Sequence, residues 1–399
     1  MYQNQVSPLV QIMSNKRVFL IVLDSFGVGE APDAKDFGDE GSDTLKAISK
    51  SKEFDVKTLR KMGLFNIDGI MYENGVENPI AAYGKAREVS MGKDTTIGHW
   101  EITGIISEKP FPTYPNGFPA DVIEEFSKRT GRDILCNKHY SGTEVIKVYG
   151  EEHMDTGALI VYTSADSVFQ IAAHEDIIPI DELYKYCEIA REILTGENAV
   201  ARVIARPFVG KYPDFVRTTN RHDFSLLPPA DTMLNYLEKE KLDVISVGKI
   251  SDIFAGSGIT ESTRTTGNVN GMEVTMKMLE RDFTGLCFVN LIDFDMLYGH
   301  RNDVDGYAKA ITEFDKWLEN FIEKMNEDDI LIITADHGCD PSTSSTDHSR
   351  EYIPVIMYGK NVVPRNLGIR GTYADIAKTI LDFFDIDNDL PGKSFYFGR

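Results

Sequence analysis

Short apolar, β-branched runs recur along the chain, and several stop abruptly in polar residues. Residues 17–23 end at Asp24, 243–247 at Gly248-Lys249, 286–292 at Asp293, and 330–333 at Thr334-Ala335-Asp336-His337. Runs of that length without polar alternation suit strands buried on both faces of a parallel sheet. Between them lie stretches that read as helices, at 42–64, 231–239 and 306–326, the first capped by Ser42 or Asp43. The pattern predicts an α/β fold with a mainly parallel central sheet flanked by helices. In such sheets ligands gather at the carboxyl ends of strands. Asp24, Lys249, Asp295 and Asp336 therefore stand where chemistry is expected.

From residue 111 to 221 the rhythm changes. Pro112, Pro115 and Pro119 break the chain. Short predicted strands at 145–148, 159–162 and 202–205 then alternate with predicted helices at 120–130 and 180–194. This predicts a smaller α/β cap domain, of normal domain size, inserted into a discontinuous core of residues 13–110 and 222–399. Residues 1–12 precede a second methionine, Met13, and are expected to be a leader without structure. Within the insertion, Ser164 and Asp166 follow a predicted strand, and Arg202, Arg206 and Arg217 come later. Polar loop residues with arginines suit recognition of hydroxyls and phosphate.

Composition narrows the partners. The 399 residues carry a formal charge of -21, with a pI near 4.8. So acidic a surface argues against nucleic acid and anionic membranes, and an anionic substrate would need local cations. Cys136, Cys187, Cys287 and Cys339 form no CxxC, which fits a reducing compartment. No apolar run approaches the ~20 residues that span a bilayer, and residues 18–23 are too short for a signal peptide. A cytoplasmic monomer is the expectation.

Three of the predicted strands run into carboxylates: Asp24, Asp295 and Asp336. His300, His337 and His348 lie in the same loops. This mixed oxygen and nitrogen set suits Mn²⁺ or Zn²⁺ better than Ca²⁺. Six ligands suffice for two divalent ions, and two such ions with three carboxylates leave about one positive charge, enough to draw a phosphate. Gly92-Lys93-Asp94-Thr95-Thr96-Ile97-Gly98 places two hydroxyls ahead of a probable helix. A helix N-terminus favours anions, and a threonine there becomes a nucleophile once a metal lowers its pKa. Position alone leaves Thr95 and Thr96 both open, each with an ordinary capping role as the alternative.

The ordered set Val22-Leu23-Asp24, Gly92-Lys93-Asp94-Thr95, Asp295 with His300, Thr334-Ala335-Asp336-His337-Gly338 and His348 resembles the alkaline phosphatase superfamily. The longer runs Leu23-Asp24-Ser25-Phe26-Gly27-Val28-Gly29, Gly98-His99-Trp100-Glu101, Ile204-Ala205-Arg206-Pro207-Phe208 and Asp336-His337-Gly338-Cys339-Asp340-Pro341 resemble its phosphopentomutase family, across nearly the whole chain from Arg17. The resemblance implies two Mn²⁺ ions, one on Asp24, Asp336 and His337, the other on Asp295, His300 and His348. It implies that Thr95, not Thr96, is the phosphorylated nucleophile, because the family's hydroxyl directly follows Lys-Asp. It also implies sugar-phosphate contacts at Ser164, Asp166, Arg202, Arg217 and Lys249. Ile97 departs from the family, which has threonine there.

The activity implied is interconversion of ribose 1-phosphate, or its 2-deoxy form, with the 5-phosphate. The route runs through phospho-Thr95 and a 1,5-bisphosphate, with a sugar bisphosphate such as glucose 1,6-bisphosphate as activator. The cap is expected to exclude water. The rivals are a metal-dependent phosphatase or phosphodiesterase with the same core, a non-catalytic sugar-phosphate-binding protein, and a cofactor-independent phosphoglycerate mutase, which uses serine where this chain has Thr95.

Overall fold

The computed structural model describes residues 16–164 and 166–396; the expected leader at 1–12 lies outside them. Among the described residues the strands are β1 (Arg17–Leu23), β2 (Ala82–Ala86), β3 (Ile134–His139), β4 (Leu159–Thr163), β5 (Val168–His174), β6 (Arg202–Val209), β7 (Val216–Arg217), β8 (His222–Ser225), β9 (Asp243–Val247), β10 (Glu261–Thr263), β11 (Gly285–Leu291), β12 (Ile330–Thr334), β13 (Ile353–Tyr358) and β14 (Arg365–Arg370). They form one sheet of eight strands and one of six. The chain divides into two units: one holds residues up to Lys109 and from Pro228 onward, the other Pro110–Leu227.

The larger unit carries the eight-stranded sheet in the order β10-β9-β11-β1-β12-β13-β2-β14. Every residue of β1 and β11 is buried, which is why both read as largely apolar runs. β1 pairs in parallel with β11, Leu23 opposite Leu291, and with β12, Val22 opposite Thr334. β9 pairs in parallel with β11, Val247 opposite Val289. The carboxyl ends of these four strands therefore align along one edge. β12 marks the border of the parallel region, because β13 returns antiparallel to it after the polar loop. The expected helix at 42–64 is instead broken into Thr44–Ser49, capped by Asp43, and the short turn Thr58–Lys61.

The smaller unit is built on the six-stranded sheet, β3-β4-β5-β6-β7, with β8 also on β6. Strand alternation sends Leu159 and Val161 to one apolar cluster and Ile160 and Tyr162 to another. Helices Ala120–Thr130 and Ile180–Ile193 supply Phe126, Leu183 and Ala190 to the first, and helix Glu144–Thr156 supplies Val145 and Ile146 to the second. The strand expected at 145–148 is thus helical. Val145 and Ile146 are buried while Val148 is exposed, so a helical face overrode β-branched propensity. Residues 222–227 stay with this unit, beyond the expected end at 221, because β8 pairs with Arg202–Ala205 of β6. Among the described residues no helix is long and apolar enough to cross a membrane.

Candidate metal centre

Asp24 directly follows β1 and is almost fully buried. The next residue, Ser25, takes a left-handed conformation (φ 69°), strain of about 1–3 kcal/mol for a non-glycine residue. The turn aims the Ser25 N–H at Asp336 Oδ1, 3.1 Å away, and brings Ser25 Oγ within 3.1 Å of the Tyr307 hydroxyl. Asp336 lies two residues past β12, with no exposed surface. Asp295 sits in the π-helical turn Phe294–Tyr298 and His300 in the 3-10 turn that follows; π turns often mark functional sites. The loop after His337 folds back, so that Gly338 and Ser349 exchange backbone hydrogen bonds. This stacks His348 on His337, ring centroids 3.8 Å apart.

All six predicted ligands therefore converge. One ligand atom from each of Asp295, His300 and His348 lies within 4.8 Å of the others, and the same holds for Asp24, Asp295 and His337. Asp295 is shared by the two groups. Asp336 Oδ2 is 3.2 Å from His337 Nε2. Two imidazoles are oriented from behind: the backbone carbonyl of Thr346 lies 2.6 Å from His300 Nδ1, and that of Gly338 lies 3.0 Å from His337 Nδ1. Each carbonyl needs a proton on Nδ1, which leaves the Nε2 lone pair facing the cluster, the usual arrangement of a metal-ligating histidine.

The buried carboxylates and imidazoles of the cluster shift one another. Burial first, then Asp336 and Asp295, pushes Asp24 up to about 7. Burial would raise Asp336 too, but His337 and His99 hold it well below the usual carboxylate range. Asp295 is likewise held low, against burial, by His348 and His300. Hydrogen bonding to Asp295 pushes His300 up to about 9. Asp24 Oδ1, Asp295 Oδ1 and Asp336 Oδ2 are buried without a well-formed hydrogen bond; imidazole nitrogens stand 3.2–3.5 Å from them. Buried charge demands a partner, and oxygen and imidazole donors in this mixture fit a divalent transition ion.

Thr95 opens helix Thr95–Ile102, whose N-cap Asp94 accepts hydrogen bonds from the N–H groups of Thr96 and Ile97. Thr95 Oγ1 lies 3.2 Å from His337 Nε2, while Thr96 is buried. Gly98 packs against the Asp336 carbonyl so closely that a Cβ there would overlap it. Lys249 is exposed just past β9. The other predicted contacts lie in the smaller unit. There Arg202 is 3.7 Å from Asp166 and 3.3 Å from Asp223, Ser164 follows β4, and Arg217 is exposed on β7.

Several supporting residues escaped the sequence reading. His99 Nδ1 lies 2.8 Å from the Thr95 carbonyl and 3.2 Å from Asp336 Oδ2. Asn290 Nδ2 donates to Asp24 Oδ2 at 2.9 Å; as the polar residue inside the apolar run of β11, it was a readable signal. Arg350, buried, donates to Glu88, to Asp33 and to the carbonyls of Ser90 and Gly92, tying the segment before Thr95 to the segment after His348. Glu351 accepts from Thr44 N, Thr44 Oγ1 and Ser349 Oγ, and burial pushes its carboxyl up to about 7.

The sequence profile of the Metalloenzyme superfamily matches residues 16–388. A phosphopentomutase of Lachnoclostridium phytofermentans is 63% identical over 382 residues, covering 95% of this chain and 98% of the relative. One of Clostridium kluyveri is 56% identical with the same coverage. Among solved structures, the PH0037 protein of Pyrococcus horikoshii shares the fold, with a TM-score of 0.50 at 13% identity, over 95% of this chain and 99% of that one. The chain belongs to the phosphopentomutases, isomerases that act as intramolecular phosphotransferases, within the metalloenzyme superfamily.

Proposed function

We propose that this pentose phosphate mutase interconverts ribose 1-phosphate, or 2-deoxyribose 1-phosphate, with the corresponding 5-phosphate through phospho-Thr95 and a 1,5-bisphosphate. The observation that carries the reading is the Thr95 hydroxyl, held at a helix N-terminus 3.2 Å from His337 Nε2, beside the converging Asp24, Asp295, His300, His337 and His348, with Asp336 3.2 Å from His337. Asp24, Asp336 and His337 would hold one Mn²⁺ ion and Asp295, His300 and His348 the other, with Asp295 close enough to contact both. Bound there, divalent ions supply Lewis acidity to phosphoryl oxygens and lower the pKa of the threonine hydroxyl.

The chain's own residues do the rest. The phosphorus–oxygen bond to Thr95 breaks as one forms to a free sugar hydroxyl, whose proton passes to the Thr95 oxygen. The bisphosphate then returns its other phosphoryl group to Thr95 Oγ1, and a proton goes back to the sugar oxygen. His99, bonded to the Thr95 carbonyl, fixes the first turn of the helix so that Oγ1 stays in place. Ser164, Asp166, Arg202, Arg217 and Lys249 are assigned to the sugar phosphate, with Arg202 braced by Asp223. A sugar bisphosphate such as glucose 1,6-bisphosphate would prime Thr95 and so act as activator.

The test is conversion of ribose 1-phosphate by the Mn²⁺-loaded protein, with and without the bisphosphate, alongside release of inorganic phosphate. Mutase action predicts isomerisation with little phosphate release and a lag that priming shortens. Phosphate release without isomerisation would instead identify a phosphatase.

A further inference from the structure

Glu351 lies just past His348 in sequence and has almost no exposed surface. Each of its carboxylate oxygens meets two donors. Oε2 accepts the N–H groups of Thr44 at 2.9 Å and Gly29 at 3.3 Å. Oε1 accepts the hydroxyls of Thr44 at 2.8 Å and Ser349 at 2.7 Å. The direction of those two protons is set from behind. Thr44 Oγ1 accepts the Cys339 N–H and Ser349 Oγ the Asp340 N–H, each at 3.2 Å, which leaves each hydroxyl proton for Glu351. With four donors around it, the side chain fits as an ionised carboxylate, which only accepts. The neighbouring Arg350 gives its guanidinium to Asp33 and Glu88 instead. A buried carboxylate held by hydrogen bonds alone is costly, so its place in the fold asks for a reason.

The donors point to one, because they belong to the loops that carry the candidate ligands. Gly29 is in the turn after Asp24, Cys339 and Asp340 follow His337, and Ser349 follows His348 directly. The Val28 N–H also donates to the Tyr352 carbonyl and the Tyr352 N–H to the Gly29 carbonyl, which lays the turn after Asp24 along the segment of Glu351. A Cβ at Gly27 would stand 2.1 Å from Glu351 Oε2, and one at Gly338 would stand 2.5 Å from Oε1. Neither glycine takes a left-handed conformation. Closeness to Glu351, rather than backbone shape, excludes a side chain at both.

We propose that Glu351 is a positioning residue for the metal centre. Its carboxylate fixes the loops of Asp24, His337 and His348 against one another, so that ligands assigned to both ions are aligned before an ion binds. That these loops hold Mn²⁺ rests on the function proposed above. Glu351 itself is no ligand, since both its oxygens are spent on the four donors.

The test uses the full-length protein and Mn²⁺, without substrate: calorimetric titration, and melting with and without the ion. Glu351→Gln keeps the shape but turns an amide donor toward donors. It should bind Mn²⁺ about tenfold more weakly, the lower end of what supporting groups around a metal contribute. The rise in melting temperature on adding Mn²⁺ should shrink with it. Ser349→Ala should weaken Mn²⁺ binding in the parent and add little in the Glu351→Gln protein, since both changes act on one contact. Should Glu351→Gln fail to fold, Ser349→Ala decides alone, by its Mn²⁺ affinity. A carboxylate that only supports the fold would lower the melting temperature equally with and without Mn²⁺ and leave the affinity unchanged; that result overturns the proposal, and so does full additivity in the double variant. If the parent takes up one ion rather than two and Glu351→Gln still weakens it, the positioning role stands and the two-ion reading falls. If the parent binds two ions and isomerises the sugar while Glu351→Gln binds as tightly, the reverse holds.

Discussion

At the scale of single residues, adjacent threonines separate by burial and reach. Thr95 Oγ1 reaches His337 Nε2, whereas Thr96 is buried and its N–H is held by Asp94. Thr95→Ala should abolish isomerisation yet melt like the parent, while Thr96→Ala should keep activity. Intact mass and peptide mapping after priming should place the phosphate on residue 95; phosphate on residue 96 would show the nucleophile to be wrong. The ligands make a second prediction. Under the proposed assignment Asp336→Ala or His348→Ala would remove a bond to a metal ion, so elemental analysis should find at least one equivalent of Mn²⁺ lost from each purified variant. Full occupancy in both would refute the assignment of six ligands to two ions.

At the scale of elements, the site depends on how closely the helix that Thr95 opens approaches the end of β12. Alanine normally favours a helix over glycine by ~1 kcal/mol. At Gly98, however, a Cβ would overlap the Asp336 carbonyl, and overpacking costs ~1–3 kcal/mol. Overpacking should win: Gly98→Ala should lower the melting temperature and reduce kcat by more than tenfold as the helix backs away from the ligands. A more stable, fully active variant would show that this contact is not needed. In the smaller unit, His153 joins helix Glu144–Thr156 to β5. Its Nδ1 bonds the Ala158 carbonyl at 2.6 Å, and its Nε2 accepts the His174 N–H at 2.8 Å. Burial lowers its pKa from the ordinary 6.5. The unfolded chain then binds the proton more readily than the folded one, so this contribution is whole above about pH 6.5 and is lost as the pH falls below it. Hydrogen exchange of residues 145–174 should therefore accelerate from pH 7 to pH 5, after correction for the intrinsic rate, and His153→Gln should flatten that trend.

At the scale of the whole molecule, the chain leaves the larger unit after Lys109 and returns to it at Pro228. The eight-stranded sheet has no strand from the insertion, and the smaller unit has its own apolar clusters. Replacing residues 110–227 by a short Gly-Ser linker should leave a cooperatively melting larger unit that binds metal. It should hydrolyse simple phosphate esters weakly and not isomerise pentose phosphates. Isomerisation by the truncated protein would show that Arg202 and Arg217 are dispensable.

Much of this was legible in the amino-acid order, because burial on both faces leaves a strand few polar positions. β1, β11 and β12 were readable as largely apolar runs, and the polar segments that follow them hold all six candidate ligands. Local physics also separated the insertion, through its prolines and changed rhythm. It misplaced the insertion's end, because β8 belongs there only by pairing with β6. It read 145–148 as a strand, because four residues cannot display the helical face that Phe208 and Phe215 meet in the fold. Which carboxylate neighbours which imidazole was beyond it as well: Asp295 is four residues past one strand and His337 three past another, and only parallel register beside β1 brings them together.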